Sequence, residues 1–301
     1  MKSEANAVTT LPLPTVRHRF ADFLALTKPR LNSLVVVTAG VWYYLGTVDR
    51  LDLIVGLHVL VGSGLVAGGA AALNQVAERD LDGMMRRTRQ RPLPAGRIRP
   101  IEGYVFGTGL AALGLAELSA GTNSMAAIVA LATLVIYVAI YTPLKRRTSW
   151  STVVGAVPGA LPPVIGWTAA RGGLTPEAWA VFAIVFLWQL PHFHALSWLH
   201  RDDFRRAGIP LVAVQDTDGR RASTHALLFT AALVPTSLTP FFVGLAGSTY
   251  LIFAFLLGAT FFLLAAGFAR ARTTGRARAL FLGSLVYLPL LWGLLVVERA
   301  F

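Results

Sequence analysis

Apolar residues in this chain gather into long blocks that carry almost no charge, and short polar segments rich in arginine separate them. A helix rising 1.5 Å per residue needs about 20 apolar residues to cross roughly 30 Å of hydrocarbon. Nine blocks meet that length, at about 31–48, 51–73, 103–121, 124–142, 151–170, 177–198, 224–245, 248–268 and 279–297. The pattern predicts an all-α, polytopic membrane protein with nine transmembrane helices, forming a single transmembrane domain over 23–301. Residues 1–22 read as a disordered cytoplasmic tail. The first twenty residues have no apolar run of signal-peptide type, and Glu4, Pro12 and Pro14 do not suit a transit peptide, so no cleaved leader is expected.

Composition agrees with this reading. The chain is 55% hydrophobic and 14% charged, with a mean hydropathy of +0.60; soluble domains carry about 25% charged residues. A net charge of +12 would suggest a nucleic-acid partner for a soluble protein. Here the cations sit in loops between apolar blocks, so a lipid bilayer is the expected partner and nucleic acid is not. With nine spans, 24 of the 27 Lys and Arg residues fall on one side. The positive-inside rule then puts the N-terminus in the cytoplasm and the C-terminus outside. The absence of cysteine excludes disulfides, thiolate metal sites and cysteine nucleophiles.

The densest chemistry follows the second block. Asn74, Glu78 and Asp82 stand at i, i+4 and i+8, within about 80° of one another on one helical face. Two carboxylates and a carboxamide at a membrane surface suit a hard cation such as Mg2+, which completes its shell with substrate phosphates. Asp80 points away and is the weaker ligand. Arg86, Arg87 and Arg91 follow, and guanidiniums could hold the remaining phosphate oxygens. The alternative is a solvated loop whose arginines only set topology.

A second acidic turn, Asp202-Asp203 with Arg205 and Arg206, follows the sixth block on the same side, four spans later. It is either a second cation and phosphate site or solvated charge. Tyr141 and Lys145, at i and i+4 at the end of the fourth block, place an aromatic ring beside a cation. The pair suits phosphate binding and stabilisation of a carbocation, or else an interfacial aromatic with a snorkelling lysine. Thr27-Lys28-Pro29-Arg30-Leu31-Asn32 opens the first block, as a helix start or as a substrate contact. His192 and His194, two residues apart, face different ways on a helix, and either could meet a substrate edge or carry a proton. His58 and Glu117 lie within blocks near the opposite side and have no assigned role.

The Asn-x-x-x-Glu-x-x-x-Asp segment, the acidic turn after the sixth block and the nine spans together resemble the UbiA superfamily of intramembrane prenyltransferases. Within it, several stretches resemble the protohaem IX farnesyltransferase family. These are Thr27-Lys28-Pro29-Arg30, Arg87-Thr88-x-x-Arg91-Pro92-Leu93, Tyr141-Thr142-Pro143-Leu144-Lys145-Arg146, Pro162-Pro163 with Gly166-Trp167, and Pro191-His192-Phe193. Glu78 stands where the superfamily usually has aspartate, and Leu199 stands four residues before Asp203.

The resemblance implies transfer of the farnesyl group of farnesyl diphosphate to a vinyl group of haem B, with addition of water, giving haem O. It implies Mg2+ on Asn74, Glu78, Asp82 and Asp203, and catalytic roles for Lys145 and Tyr141. Substrate contacts are implied for Lys28, Arg30, Arg87, Arg91, Arg146, Asp202, Arg205 and His192. It further implies a bacterial inner membrane, a cytoplasmic active site, and a haem A synthase or oxidase-assembly protein as partner. Two rival readings remain: a related prenyltransferase with an aromatic acceptor (a quinone or chlorophyll precursor), and a secondary transporter.

Overall fold

The structure, a computed structural model, describes residues 16–48 and 50–300. Every regular element among them is helical. The chain runs α1 (Val16–Leu26), α2 (Pro29–Gly46), α3 (Leu53–Ala77), α4 (Arg79–Met84), α5 (Pro100–Gly121) and α6 (Ser124–Val135). A π-helical turn at Ile136–Tyr141 leads into α7 (Thr142–Leu144), followed by α8 (Ser151–Ala160), α9 (Pro162–Arg171) and α10 (Pro176–Leu199). Then come α11 (Arg201–Arg206), α12 (Val212–Gln215), α13 (Arg220–Thr236), α14 (Thr239–Phe242), α15 (Ser248–Ala271) and α16 (Thr274–Ala300). Seven helical segments among the described residues are long and apolar enough to cross a membrane: 53–77, 124–144, 151–171, 176–199, 220–242, 248–271 and 274–299. The segments expected as the first and third spans are also helical, as α2 and α5.

Part of the expected tail is corrected. Residues 16–22 belong to helix α1, not to a disordered segment; residues 1–15 lie outside the described residues. The helix has partners that the tail reading overlooked. Phe23 packs on Phe106 with ring centroids 5.1 Å apart, Asp22 accepts from Arg97 at 3.0 Å, and Arg19 pairs with Glu102. Leu26 at its end is fully buried.

Three expected spans are broken where the chain supplies a reason. Pro162-Pro163 starts a new helix after Leu161, because proline fits the first helical turn but not an interior. Pro235 and Pro240 likewise divide the seventh segment around Ser237. The π turn before α7 shifts Tyr141 and Thr142 relative to a regular helix, and such turns cluster at functional sites.

Helices α3 and α5 approach closely through glycine. A Cβ on Gly69 would lie 2.6 Å from the Gly107 carbonyl oxygen, and one on Gly114 would lie 2.7 Å from the Gly62 carbonyl oxygen. Where lipid offers no hydrophobic drive between helices, such small-residue seams let backbones pack by dispersion. At the far end of α2, Trp42 packs on Trp167 and Trp292 with both centroids at 6.1 Å, joining α2, α9 and α16. That aromatic core lies about 20 Å along α2 from Pro29. It leaves the N-terminal end of α2 free to meet the end of α3.

Candidate active site

The site is built at the C-terminal end of α3. Glu78 leaves helical geometry, with φ −99° and ψ 7°, and the chain turns into α4. Yet Glu78 N–H still donates to Asn74 O at 2.9 Å and Asp82 N–H to Glu78 O at 2.8 Å. The i+4 ladder therefore survives the kink and keeps Asn74, Glu78 and Asp82 in one row. All three are buried, at 3%, 4% and 1% exposure. Asp80, on the other face, is exposed and among the described residues pairs only with its neighbour Arg79.

Buried carboxylates need partners, and each has one here. Lys145 Nζ donates to Glu78 Oε2 at 2.9 Å and Oε1 at 3.1 Å. Arg91 Nη1 donates to Asp82 Oδ2 at 2.7 Å. Lys28 Nζ donates to Asn74 Oδ1 at 3.2 Å, and Asn74 Nδ2 to Thr142 Oγ1 at 3.0 Å. Three cations thus face two carboxylates, and the net positive charge suits a polyanion. Burial, reinforced by the Arg91 charge, lowers the Lys28 ammonium to about 8. Burial also works against the Lys145 charge, but the Tyr141 ring oxygen and the Glu78 carboxylate beside it outweigh that, and its pKa is raised.

Local structure explains the motifs that carry these groups. Thr27 Oγ1 donates to Leu24 O at 2.8 Å, Pro29 opens α2, and Asn32 Nδ2 donates back to Thr27 O. Between them Lys28 is left-handed, φ 48°, a conformation that a non-glycine residue adopts only when its surroundings impose it. Gln75 Nε2 donates to Leu26 O at 2.7 Å and ties that turn to α3. In the 86–93 loop, Thr88 is buried and its Oγ1 donates to Asp82 O at 2.8 Å. Tyr137 and Tyr141 stack at 5.5 Å across the π turn. A Cβ on Gly155 would lie 2.6 Å from the Tyr141 ring, so glycine is what lets that ring sit there.

Other expected site residues are placed differently. Arg30, Arg87 and Arg146 are exposed, and none has an ion pair among the described residues. In the second acidic turn, Asp202 and Arg205 pair with each other in solvent at 3.2 Å, while Asp203 is mostly buried and pairs with Arg206. This turn meets the first through a small apolar cluster of Leu81, Met85, Ala207, Ile209 and Leu211. The two acidic turns therefore share one end of the bundle. Among the described residues no three His, Asp or Glu side chains converge on one point. His192 is not against the carboxylates; it lies between α10 and α16, with Nδ1 2.7 Å from Ser284 Oγ. His194 faces His225, ring centroids 5.2 Å apart, and His58 pairs with Glu117 at 2.8 Å.

Thr88, Thr142, Gln75, Asn32 and Tyr137 were not singled out for a role by sequence reasoning. Thr88, Thr142 and Asn32 do stand inside stretches with a pattern, and Tyr137 has a signal of its own, as an aromatic four residues before Tyr141.

The donor set fits a magnesium ion. Two adjacent carboxylates and a carboxamide are all oxygen donors, and Mg2+ typically takes no more than one or two protein carboxylates.

Comparison with known proteins places this geometry. The chain is 44% identical over 287 residues to a protoheme IX farnesyltransferase of Solibacter usitatus, covering 92% of this chain and 98% of the relative. It is 40% identical over 299 residues to that of Koribacter versatilis, with 96% of each chain covered. It is 43% identical over 290 residues to that of Myxococcus xanthus, covering 95% of this chain and 96% of the other. Among solved structures, a digeranylgeranylglyceryl phosphate synthase superposes with a TM-score of 0.79 at 16% identity, covering 93% of this chain and 98% of that one. A UbiA homologue from Archaeoglobus fulgidus bound to DMAPP and Mg2+ gives 0.68 at 17% identity, covering 92% and 99%. The family model described as the UbiA prenyltransferase family matches residues 33–292. With a full-length match of this kind and a buried acid–base cluster at one end of an apolar bundle, the chain belongs to the UbiA prenyltransferase family.

Proposed function

We propose that the chain transfers the farnesyl group of farnesyl diphosphate to a vinyl group of haem B, with addition of water, to give haem O. The observation that carries this reading is the convergence of Lys28, Arg91 and Lys145 on Asn74, Glu78 and Asp82 at one end of an apolar bundle. Full-length likeness to protoheme IX farnesyltransferases supports the choice of substrates.

Asn74, Glu78 and Asp82 would hold Mg2+, with Asp203 reaching in from the facing turn. When bound, the ion draws off negative charge as the allylic C–O bond breaks. Lys145, Arg91 and Arg87 neutralise the leaving diphosphate, and Lys28, Arg30, Arg146 and Arg205 contact it or the haem carboxylates at the rim, alongside Asp202. The stacked Tyr137 and Tyr141 rings offer a negative π face to the farnesyl cation. The apolar bundle keeps water away until the vinyl carbon has been alkylated. Water then captures the second cation and releases a proton. Nine helices would span the membrane with the N-terminus and the site on the cytoplasmic face of a bacterial inner membrane. A haem A synthase or an oxidase-assembly protein would receive the product.

Membranes containing the chain, incubated with farnesyl diphosphate, Mg2+ and haem B, should yield haem O by mass. A prenylated aromatic formed in place of haem O would transfer the reading to a quinone-type acceptor. Gly155→Ala should push the Tyr141 ring away and lower kcat by about tenfold, with less effect on KM for the diphosphate. Steady-state kinetics on both substrates separate the two constants, and an unchanged kcat would remove Tyr141 from the mechanism.

A further inference from the structure

His192 lies about 10 Å along α10 from the helix end that carries the second acidic turn, and so deeper in the bundle than the diphosphate groups. Its surroundings are aromatic. The ring stacks on Trp188 at 5.3 Å and lies 4.8 Å from Phe281, with Phe193 edge-on at 5.4 Å. Its polar contact among the described residues is Ser284, whose Oγ is 2.7 Å from Nδ1.

The bonds around Ser284 fix which nitrogen carries the proton. Ser284 Oγ–H is spent on the Phe281 carbonyl oxygen at 2.5 Å. A hydroxyl has one hydrogen, so toward His192 the oxygen can only accept, and Nδ1 must donate. Neutral imidazole protonated at Nδ1 carries its lone pair on Nε2. Trp188 Nε1 donates to the Ser284 carbonyl at 2.8 Å and holds the serine backbone in register with α10. Among the described residues Nε2 has no hydrogen-bond partner. A ring oriented through Nδ1–H, with a bare Nε2 in apolar surroundings, has the arrangement that outer partners impose on metal-ligating histidines.

We propose that Ser284 is a positioning residue that fixes His192 as the Nδ1–H tautomer, and that His192 Nε2 takes an axial position on the iron of the porphyrin acceptor. The proposal rests on the reading above that haem is the acceptor. The bond formed is N–Fe at an open axial position, and nothing else is gained or lost.

The test uses the whole protein in nanodiscs, titrated with haemin and, separately, with metal-free protoporphyrin IX, and read by absorption and electron paramagnetic resonance. Wild-type protein should give a histidine-ligated haem spectrum that His192→Ala loses. Ser284→Ala should weaken haemin binding by about tenfold, and Ser284→Thr, which restores a hydroxyl, should recover most of it. Metal-free protoporphyrin should bind wild type and all three variants alike, which also reports that they are folded. A His192→Ala spectrum identical to wild type, or equal losses for haemin and the metal-free ring, would overturn the ligation. Wild type that binds neither ring would instead overturn the haem-acceptor reading itself, and this proposal with it.

Discussion

Asp82→Asn lowers kcat/KM for farnesyl transfer by about 10²- to 10³-fold, the range for losing one preorganised electrostatic contact to a transition state. The substitution keeps the shape of the side chain and removes only its charge. Asp82 is 1% exposed, and its main-chain oxygen is fixed by Thr88 rather than by its carboxylate, so the turn keeps its path. Arg91 loses the charge of its partner but is 27% exposed and can turn toward water, so the effect falls on chemistry more than on folding. Product formed over a series of Mg2+ concentrations is the measurement, with Asp80→Asn as the control. Asp80 is 71% exposed on the opposite face, and its variant should match wild type. Asp82→Asn retaining more than a tenth of wild-type activity with the same Mg2+ dependence would remove Asp82 from the metal site.

The coarse frame was legible in the sequence because one force sets it. In hydrocarbon every backbone N–H and C=O must be satisfied, and an unbroken apolar block of about 20 residues, too long and too uniform for a barrel strand, does so as a helix. The row Asn74, Glu78, Asp82 was legible for a similar reason, since helical period fixes the face on which residues four apart fall. The kink at Glu78 could have scrambled that row. It does not, because the backbone bonds at 78 and 82 persist through it.

What the sequence hid depends on pairing between distant segments. The partners of Asn74 come from residues 28 and 142, and those of Glu78 and Asp82 from 145 and 91. No local period links these positions. Acid-then-base order in the 78–91 loop did point to Arg91 but could not separate it from Arg86 and Arg87, both exposed. The helix at 16–22 is not legible in the sequence because its stability is tertiary: Asp22 binds Arg97 in the loop before α5, and Arg19 and Phe23 bind Glu102 and Phe106 on α5. Thr88 and Thr142 stand inside the family-like stretches, but their tasks were not legible, as a threonine's role lies in which carbonyl or carboxamide it meets. His192 was legible as a candidate but not Ser284, which lies 92 residues away.

Lys145→Met separates the two tasks of the cation beside Glu78. The pair is well out of water, with side-chain exposures of 15% and 5%. Removing one member of a buried pair strands the other charge at a cost of about 3–5 kcal/mol. In Mg2+-free detergent the midpoint of thermal unfolding should therefore fall by several degrees at a fixed scan rate. Adding Mg2+ with an unreactive diphosphate should recover part of the loss, because a bound dication again balances Glu78. Activity should stay about a hundredfold down even then, since nothing at that position opposes the charge building on the leaving group. The double variant Glu78→Gln with Lys145→Met should regain stability without Mg2+ and remain inactive. A coupling energy near zero in that cycle would mean that Lys145 acts through packing of its stem and not through its charge on Glu78.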